Sequence, residues 1–288
     1  MTRSLPRELA AGVERAVDAR VTDAQRVGGG DINDAWSVHL GDGRRAFVKA
    51  NHDAPPDMFE AEAHGLAWLA AAEALRLPRV LAVGRQFLVL ELIEPARPVA
   101  DHDARLGRGL AALHQAGAAE FGLDRDNYVG RLPQRNTPCG DWAEFYRTRR
   151  LEPQLERAID AGLADAGLQR DFDRLWALLP DRVGPAEPPA RVHGDLWAGN
   201  RHVDEAGLPV LIDPAAHAGH REVDLAMMRL FGGFGPAVFD SYGEAYPLAP
   251  GWRDRVPLYQ LYFLMVHVNL FGSSYLGSVR AALTQLVR

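Results

Sequence analysis

One cysteine, Cys139, stands among 288 residues. No intramolecular disulfide can form, so packing alone must hold the fold, and a reducing compartment such as the cytoplasm is the expected location. No Cys/His cluster offers itself as a zinc site. Basic charge is also in short supply: 32 Lys and Arg face 38 Asp and Glu, giving a net charge of −6. The basic residues are scattered rather than striped, which argues against a nucleic-acid partner. Long apolar runs are missing too. The most apolar segment, Leu258 to Phe271, is too short to cross a bilayer and includes Gln260, His267 and Asn269, so it reads as a core helix and no membrane is expected. The opening MTRSLPRELAAGVERAV interrupts its apolar residues with Arg and Glu and is not expected to act as a secretory signal. Repeats and low-complexity stretches are absent. What is present, 47% hydrophobic and 24% charged residues, suits a globular chain long enough for two packed units, as monomer or weak homodimer.

The informative stretch is Arg191 to Asn200, RVHGDLWAGN. Asp195 precedes Asn200 by five positions, the spacing of the protein-kinase loop in which the acid takes a hydroxyl proton and the amide holds a metal. Two short apolar runs follow, Arg201 to Val203 and Pro209 to Ile212, joined by Asp204-Glu205-Ala206-Gly207, and they read as a β-hairpin. A hairpin brings its outer ends together, so Asn200 and Asp213 are predicted to meet beside Asp195. An amide oxygen and a carboxylate suit Mg²⁺, which binds few protein oxygens together with substrate phosphates.

Upstream, helical spacing covers Pro6 to Arg20, and strands are predicted at Val21 to Val27, Ala35 to Leu40 and Ala46 to Ala50. Gly28-Gly29-Gly30 lies between the first two. It is either an ordinary turn or a loop whose bare backbone approaches phosphate oxygens. Lys49 on the third strand needs an anion if it is buried. Asp57 to Leu75 reads as a helix offering Glu60 and Glu62, and strands at Arg79 to Gly84 and Phe87 to Leu92 complete a five-stranded antiparallel sheet. Past Pro95 the composition turns helical, which sets predicted units at 1–95 and 96–288. Within the second, Asp103 to Ala116 is a helix whose His114 reads as structural. Gly122 to Gly140 is a polar loop whose Asn127, Gln134 and Asn136 either connect or bind sugar. Helices follow at Trp142 to Ala161 and Leu163 to Leu179, with Asp224 as the cap of a helix from Leu225 to Phe231 and an anchor for the catalytic loop.

With HGDLWAGN, the run VLIDPAAHAGHREVDLAMMRLFGGF from Val210 to Phe234, MFEAEAHGL and DNYVGRLPQRN in view, the chain resembles the fructosamine kinase (ketosamine 3-kinase) family, within the protein-kinase-like and aminoglycoside-phosphotransferase superfamily. The resemblance implies a two-lobed α+β fold with ATP between a sheet-based lobe and a helical one. It implies that Lys49 pairs with the α- and β-phosphates and is held by Glu62, with Glu60 as second choice. Gly28, Gly29 and Gly30 would cover the phosphates, while backbone groups of Glu91 and Ile93 would meet the adenine edge. Asp195 would act as base, Asn200 and Asp213 as Mg²⁺ ligands, and His193 and Trp197 as substrate-facing groups, with Trp197 as a core residue the alternative. The implied acceptor is the C3 hydroxyl of a small or protein-bound ketosamine. The same phosphate machinery also serves aminoglycoside, choline and homoserine kinases, and a nucleotide-binding pseudokinase is a further alternative.

Overall fold

The computed structural model describes residues 5–28 and 33–288. Helix α1 (Arg7–Val17) precedes β1 (Val21–Val27), β2 (Asp34–Leu40) and β3 (Arg45–Ala50), then α2 (Met58–Ala70), β4 (Val80–Gly84) and β5 (Phe87–Glu91). The strands form one antiparallel sheet in the order β1-β2-β3-β5-β4. Alternation along a strand decides which face each residue meets. Val48 and Val89 pack toward Val13 and Val17 of α1, whereas Leu88 and Leu90 join Phe59, Leu66 and Leu69 of α2. Lys49, one position from Val48, therefore points to α2. That helix stops at Ala70 rather than Leu75, because Glu73 takes a left-handed φ of 51° and turns the chain.

The rest of the chain is mainly helical: α3 (His102–Gln115), α4 (Trp142–Phe145), a π-helical segment (Tyr146–Leu151), α5 (Glu152–Asp160), α6 (Ala166–Arg182), α7 (Glu222–Leu230), α8 (Pro236–Ala245), α9 (Trp252–Phe271) and α10 (Leu276–Leu286). Helix α6 starts three residues later than predicted because Asp165 caps it, accepting a hydrogen bond from Leu168 N at 2.8 Å. Its Leu168, Phe172, Leu175 and Leu179 recur at helical spacing and pack with α9 residues such as Leu261 and Met265 in the larger core. Helices α3 and α8 approach closely at Gly107, where a Cβ would fall 2.2 Å from Val238 O.

Short strands complete the helical part. Here β8 (Ala190–Val192) pairs with β11 (His217–Gly219), β9 (Arg201–Val203) with β10 (Pro209–Leu211), and β6 (Asn127–Val129) with β7 (Leu132–Gln134). The last pair lies inside the segment read as a loop. Its amides are buried and bonded to one another: Gln134 Nε2 and Asn136 Nδ2 each donate to Asn127 Oδ1 at 2.8 Å. Asn127 Nδ2 donates to Ala216 O at 2.8 Å, Gln134 Nε2 to Ala215 O at 3.2 Å, and Tyr262 Oη to Gln134 Oε1 at 2.7 Å. Of the two roles the sequence left open, connection or sugar binding, burial favours the first. These side chains pin the segment that follows Asp213.

Candidate active site

The site grows from the end of β8. Gly194 follows at φ 81°, and a Cβ there would lie 2.1 Å from Ala215 O, so only glycine fits between the two chain segments. The buried Asp224 carboxylate fixes this turn by accepting from His193 N at 2.7 Å and Gly194 N at 2.9 Å. It also faces His114 Nε2 at 3.2 Å, while His114 Nδ1 meets Tyr242 Oη at 2.8 Å. Asp224 sits within the first turn of α7 and does not cap it. Its oxygens hold the His193–Gly194 turn instead.

Beyond this turn a 3₁₀ segment, Ala198–Asn200, leads into the β9–β10 hairpin, whose open end is closed by Ile212 N donating to Asn200 O at 3.1 Å. Asn200, Asp195 and Asp213 meet there. Asn200 Nδ2 donates to Asp195 O at 2.8 Å, to Asp195 Oδ2 at 3.3 Å and, at 3.4 Å, to Asp213 O. The amide nitrogen thus faces protein, which leaves Oδ1 as the atom suited to a cation. Asp213 adopts φ 54°, a backbone state uncommon outside glycine that Asp tolerates better than most residues and that clusters at functional sites. Among the described residues no group of three or more His, Cys, Asp or Glu could hold a metal. The oxygens of Asn200 and Asp213 are of the hard kind that could hold a hard cation, which would need further oxygens from elsewhere.

Lys49 approaches from the sheet. Its Nζ lies 2.7 and 3.0 Å from the two Glu62 oxygens and 3.0 Å from Asp213 Oδ1, whereas Glu60 is exposed. Burial works against the ammonium, but Asp213 and Glu62 outweigh it and hold the group charged. Burial pushes the Asp195 carboxyl up to about 7, and the neighbouring Asp213 charge adds to the shift while the Asn200 hydrogen bond opposes it. A carboxylate of that kind is a competent base near neutral pH.

His193 does not face the cleft. It is fully buried, its Nε2 meets Ile212 O at 2.9 Å, and its Nδ1 accepts from Asp195 N at 3.3 Å. The ring braces the loop against the hairpin end, which corrects its reading as a substrate contact. Burial lowers its pKa, so the imidazole is neutral. Trp197, by contrast, is 42% exposed and its ring covers Gly199, where a Cβ would come within 2.2 Å of the indole. Gly28 is exposed at the end of β1, while Gly29 and Gly30 lie outside the described residues. Glu91 ends β5 with its N–H donated to Arg79 O at 2.8 Å, and Ile93 follows it in irregular chain. The Glu91 carboxylate meets Arg76, a residue that no motif had singled out. A cavity of about 730 Å³ lined by Trp142, Trp176 and Glu187 contains none of these site residues.

Known proteins resemble this chain over nearly its whole length. Residues 7–288 match the fructosamine kinase family. The chain is 40% identical over 253 residues to the probable ketoamine kinase of Enterococcus faecium, covering 86% of this chain and 89% of that protein. It is 38% identical over 280 residues to the chloroplastic protein-ribulosamine 3-kinase of Oryza sativa subsp. japonica, covering 93% and 80% respectively. A Thermobifida fusca crystal structure assigned as a fructosamine-3-kinase superposes with a TM-score of 0.91 at 41% identity, covering 97% of this chain and 98% of that one. An ADP-bound aminoglycoside phosphotransferase, at 13% identity and a TM-score of 0.65 over 98% of this chain and 99% of that one, shares the fold.

Proposed function

The chain belongs to the fructosamine kinase family, and from that premise we propose that it transfers the γ-phosphoryl group of ATP to the C3 hydroxyl of a ketosamine. The convergence of Asp195, Asn200, Asp213 and the Lys49–Glu62 pair supports phosphoryl transfer, and the likeness to ketoamine and ribulosamine kinases over most of the chain is the observation that carries the acceptor. ATP would lie between units 1–95 and 96–288, the family pattern giving its phosphates to the Gly28–Gly30 run and its adenine to the backbone around Glu91 and Ile93. Lys49 pairs with the α- and β-phosphates. Asn200 and Asp213 are the residues that would hold Mg²⁺, and the cation would there supply positive charge to offset that of the phosphoryl oxygens. Asp195 accepts the C3 hydroxyl proton as that oxygen bonds to the γ-phosphorus and the bond to ADP breaks. Trp197 offers an aromatic face to the sugar's C–H surface. Positioning and charge neutralisation supply most of the rate, since phosphoryl transfer leaves the protein little covalent work.

The product explains why such a reaction is useful. A phosphate at C3 lies next to the C2 carbonyl, and enolisation toward C1 makes it allylic. Its departure as inorganic phosphate leaves an imine, which water hydrolyses to the free amine and a deoxy-dicarbonyl sugar. The enzyme then acts in deglycation. Phosphorus NMR and mass spectrometry on a fructosamine or ribulosamine of lysine should show a 3-phosphate that decays to inorganic phosphate and lysine. A stable phosphate on another hydroxyl, or turnover of an aminoglycoside and of no ketosamine, would sink the reading.

A further inference from the structure

Arg76 lies in the segment between α2 and β4, and three carboxylates from two other parts of the chain meet its guanidinium. One nitrogen, Nη2, is 2.9 Å from Glu91 Oε1, and the other, Nη1, is 2.7 Å from Asp204 Oδ2 and 2.9 Å from Glu205 Oε1. Glu91 closes β5, where the adenine-facing segment begins. Asp204 and Glu205 form the turn of the β9–β10 hairpin, at whose opposite end stand Asn200 and Asp213. The backbone of Arg76 joins the same structure, its carbonyl accepting from Leu211 N at 3.0 Å, two residues before Asp213.

The partners are themselves fixed. Asp204 is buried and its Oδ1 accepts from Ala206 N at 2.9 Å and Leu208 N at 2.8 Å, which leaves Oδ2 for Arg76. The second oxygen of Glu91 takes Arg79 N at 3.2 Å and Arg79 Nε at 3.3 Å. The far end of the linker is held on the same turn, since Val99 N donates to Gly207 O at 3.1 Å. A Cβ on Gly207 would lie 2.8 Å from Arg97 O. Both ends of the stretch from Glu91 to Val99 thus rest on one hairpin turn, the first of them through Arg76. A planar fork with two separated donor nitrogens makes such a joint, and the single ammonium of lysine does not reproduce it.

We infer that Arg76 is a positioning residue that locks the adenine-facing segment to the metal-facing hairpin, so that one joint sets the distance between base and phosphate recognition. The inference rests on the proposed ATP site and is independent of the acceptor. It is tested in the full-length chain with Arg76→Met and Arg76→Lys, by calorimetric titration of MgATP without acceptor and by steady-state kinetics. Arg76→Met should weaken MgATP binding and raise the KM for ATP by about tenfold, while kcat at saturating ATP and the KM for ketosamine stay within about threefold. Arg76→Lys should recover part of the loss. Unchanged MgATP affinity would overturn the inference, as would an equal decline in all constants or a faster kcat at unaltered affinity. Should Arg76→Met fail to fold, Glu91→Gln should weaken MgATP in the same direction, and wild-type affinity in that variant would overturn the inference equally. A chain that binds MgATP but phosphorylates no ketosamine would defeat the function proposed above and leave this joint standing.

Discussion

At the scale of the residue, the proposed chemistry depends on the protonation of Asp195. Its carboxyl titrates near 7 in the free protein, through burial and the Asp213 charge, so kcat/KM should rise with pH through an acid limb near that value. A pH–rate profile flat from pH 5 to 9 would remove Asp195 as the base. Asp195→Asn should lower kcat by about 10²- to 10⁴-fold with MgATP still bound, measured by single-turnover transfer. The same group bears on stability. A folded-state pKa above the unfolded value contributes stability that is present below about pH 4 and is lost as pH rises through about 7. Asn cannot lose a proton, so thermal melts should show Asp195→Asn gaining on the wild type as pH rises from 4 to 8. At this scale the sequence spoke unevenly. Spacing anticipated the meeting of Asp195, Asn200 and Asp213, because a hairpin's ends are joined by its ladder. It could not reveal which way His193 points, since the left-handed Gly194 beside it redirects the chain. Nor could it reveal Arg76, whose partners lie up to 129 positions away.

At the scale of the element, the crossing of α3 and α8 shows how tightly the helical part is fitted. Gly107→Ala should cost about 1–3 kcal/mol, the usual penalty for overpacking, because Val238 O is backbone and must move with its helix. Denaturant unfolding would read this, and an unchanged midpoint would mean that the helices separate freely. Strands and amphipathic helices were legible wherever apolar residues kept a period of two or of about 3.6, as in β1 to β5 and α6. The β9–β10 hairpin was legible despite three-residue strands, because a turn-rich run joins two apolar ones. The β8–β11 pair escaped because its strands pair across the whole loop and hairpin between them, and β6–β7 because it is built around buried amides that read as polar loop. The π-helical segment at Tyr146–Leu151 escaped as well. Buried Arg150 lies within it, and its donation to Asn136 Oδ1 at 2.7 Å is a tertiary contact that no local propensity encodes.

At the scale of the whole molecule, MgATP bridging the sheet and the hairpin should raise thermal stability. A ligand at 100 times its Kd adds about 2.7 kcal/mol, or about 4–5 °C for a chain of this size. Chelation of Mg²⁺ should abolish both the shift and turnover, and a full shift in chelator would move the metal away from Asn200 and Asp213. The triple contact of Lys49 with Glu62 and Asp213 adds a consequence for selection among nucleotide species. In the free protein Lys49 is the resident counterion of Asp213, so on the proposed site the loaded nucleotide would arrive by ion exchange: Asp213 would give up the ammonium for the metal, and Lys49 would turn to the phosphates. Nucleotide without metal would draw Lys49 away and leave Asp213 bare beside polyphosphate, while metal without nucleotide would displace Lys49 with no phosphate to receive it. Each half-exchange would break the Lys49–Asp213 pair while supplying only one of the two replacement partners, with Glu62 left as the one carboxylate on Lys49. Uncomplexed ATP should therefore compete poorly with MgATP, and the kinase should keep its rate when nucleotide outruns the supply of divalent cation.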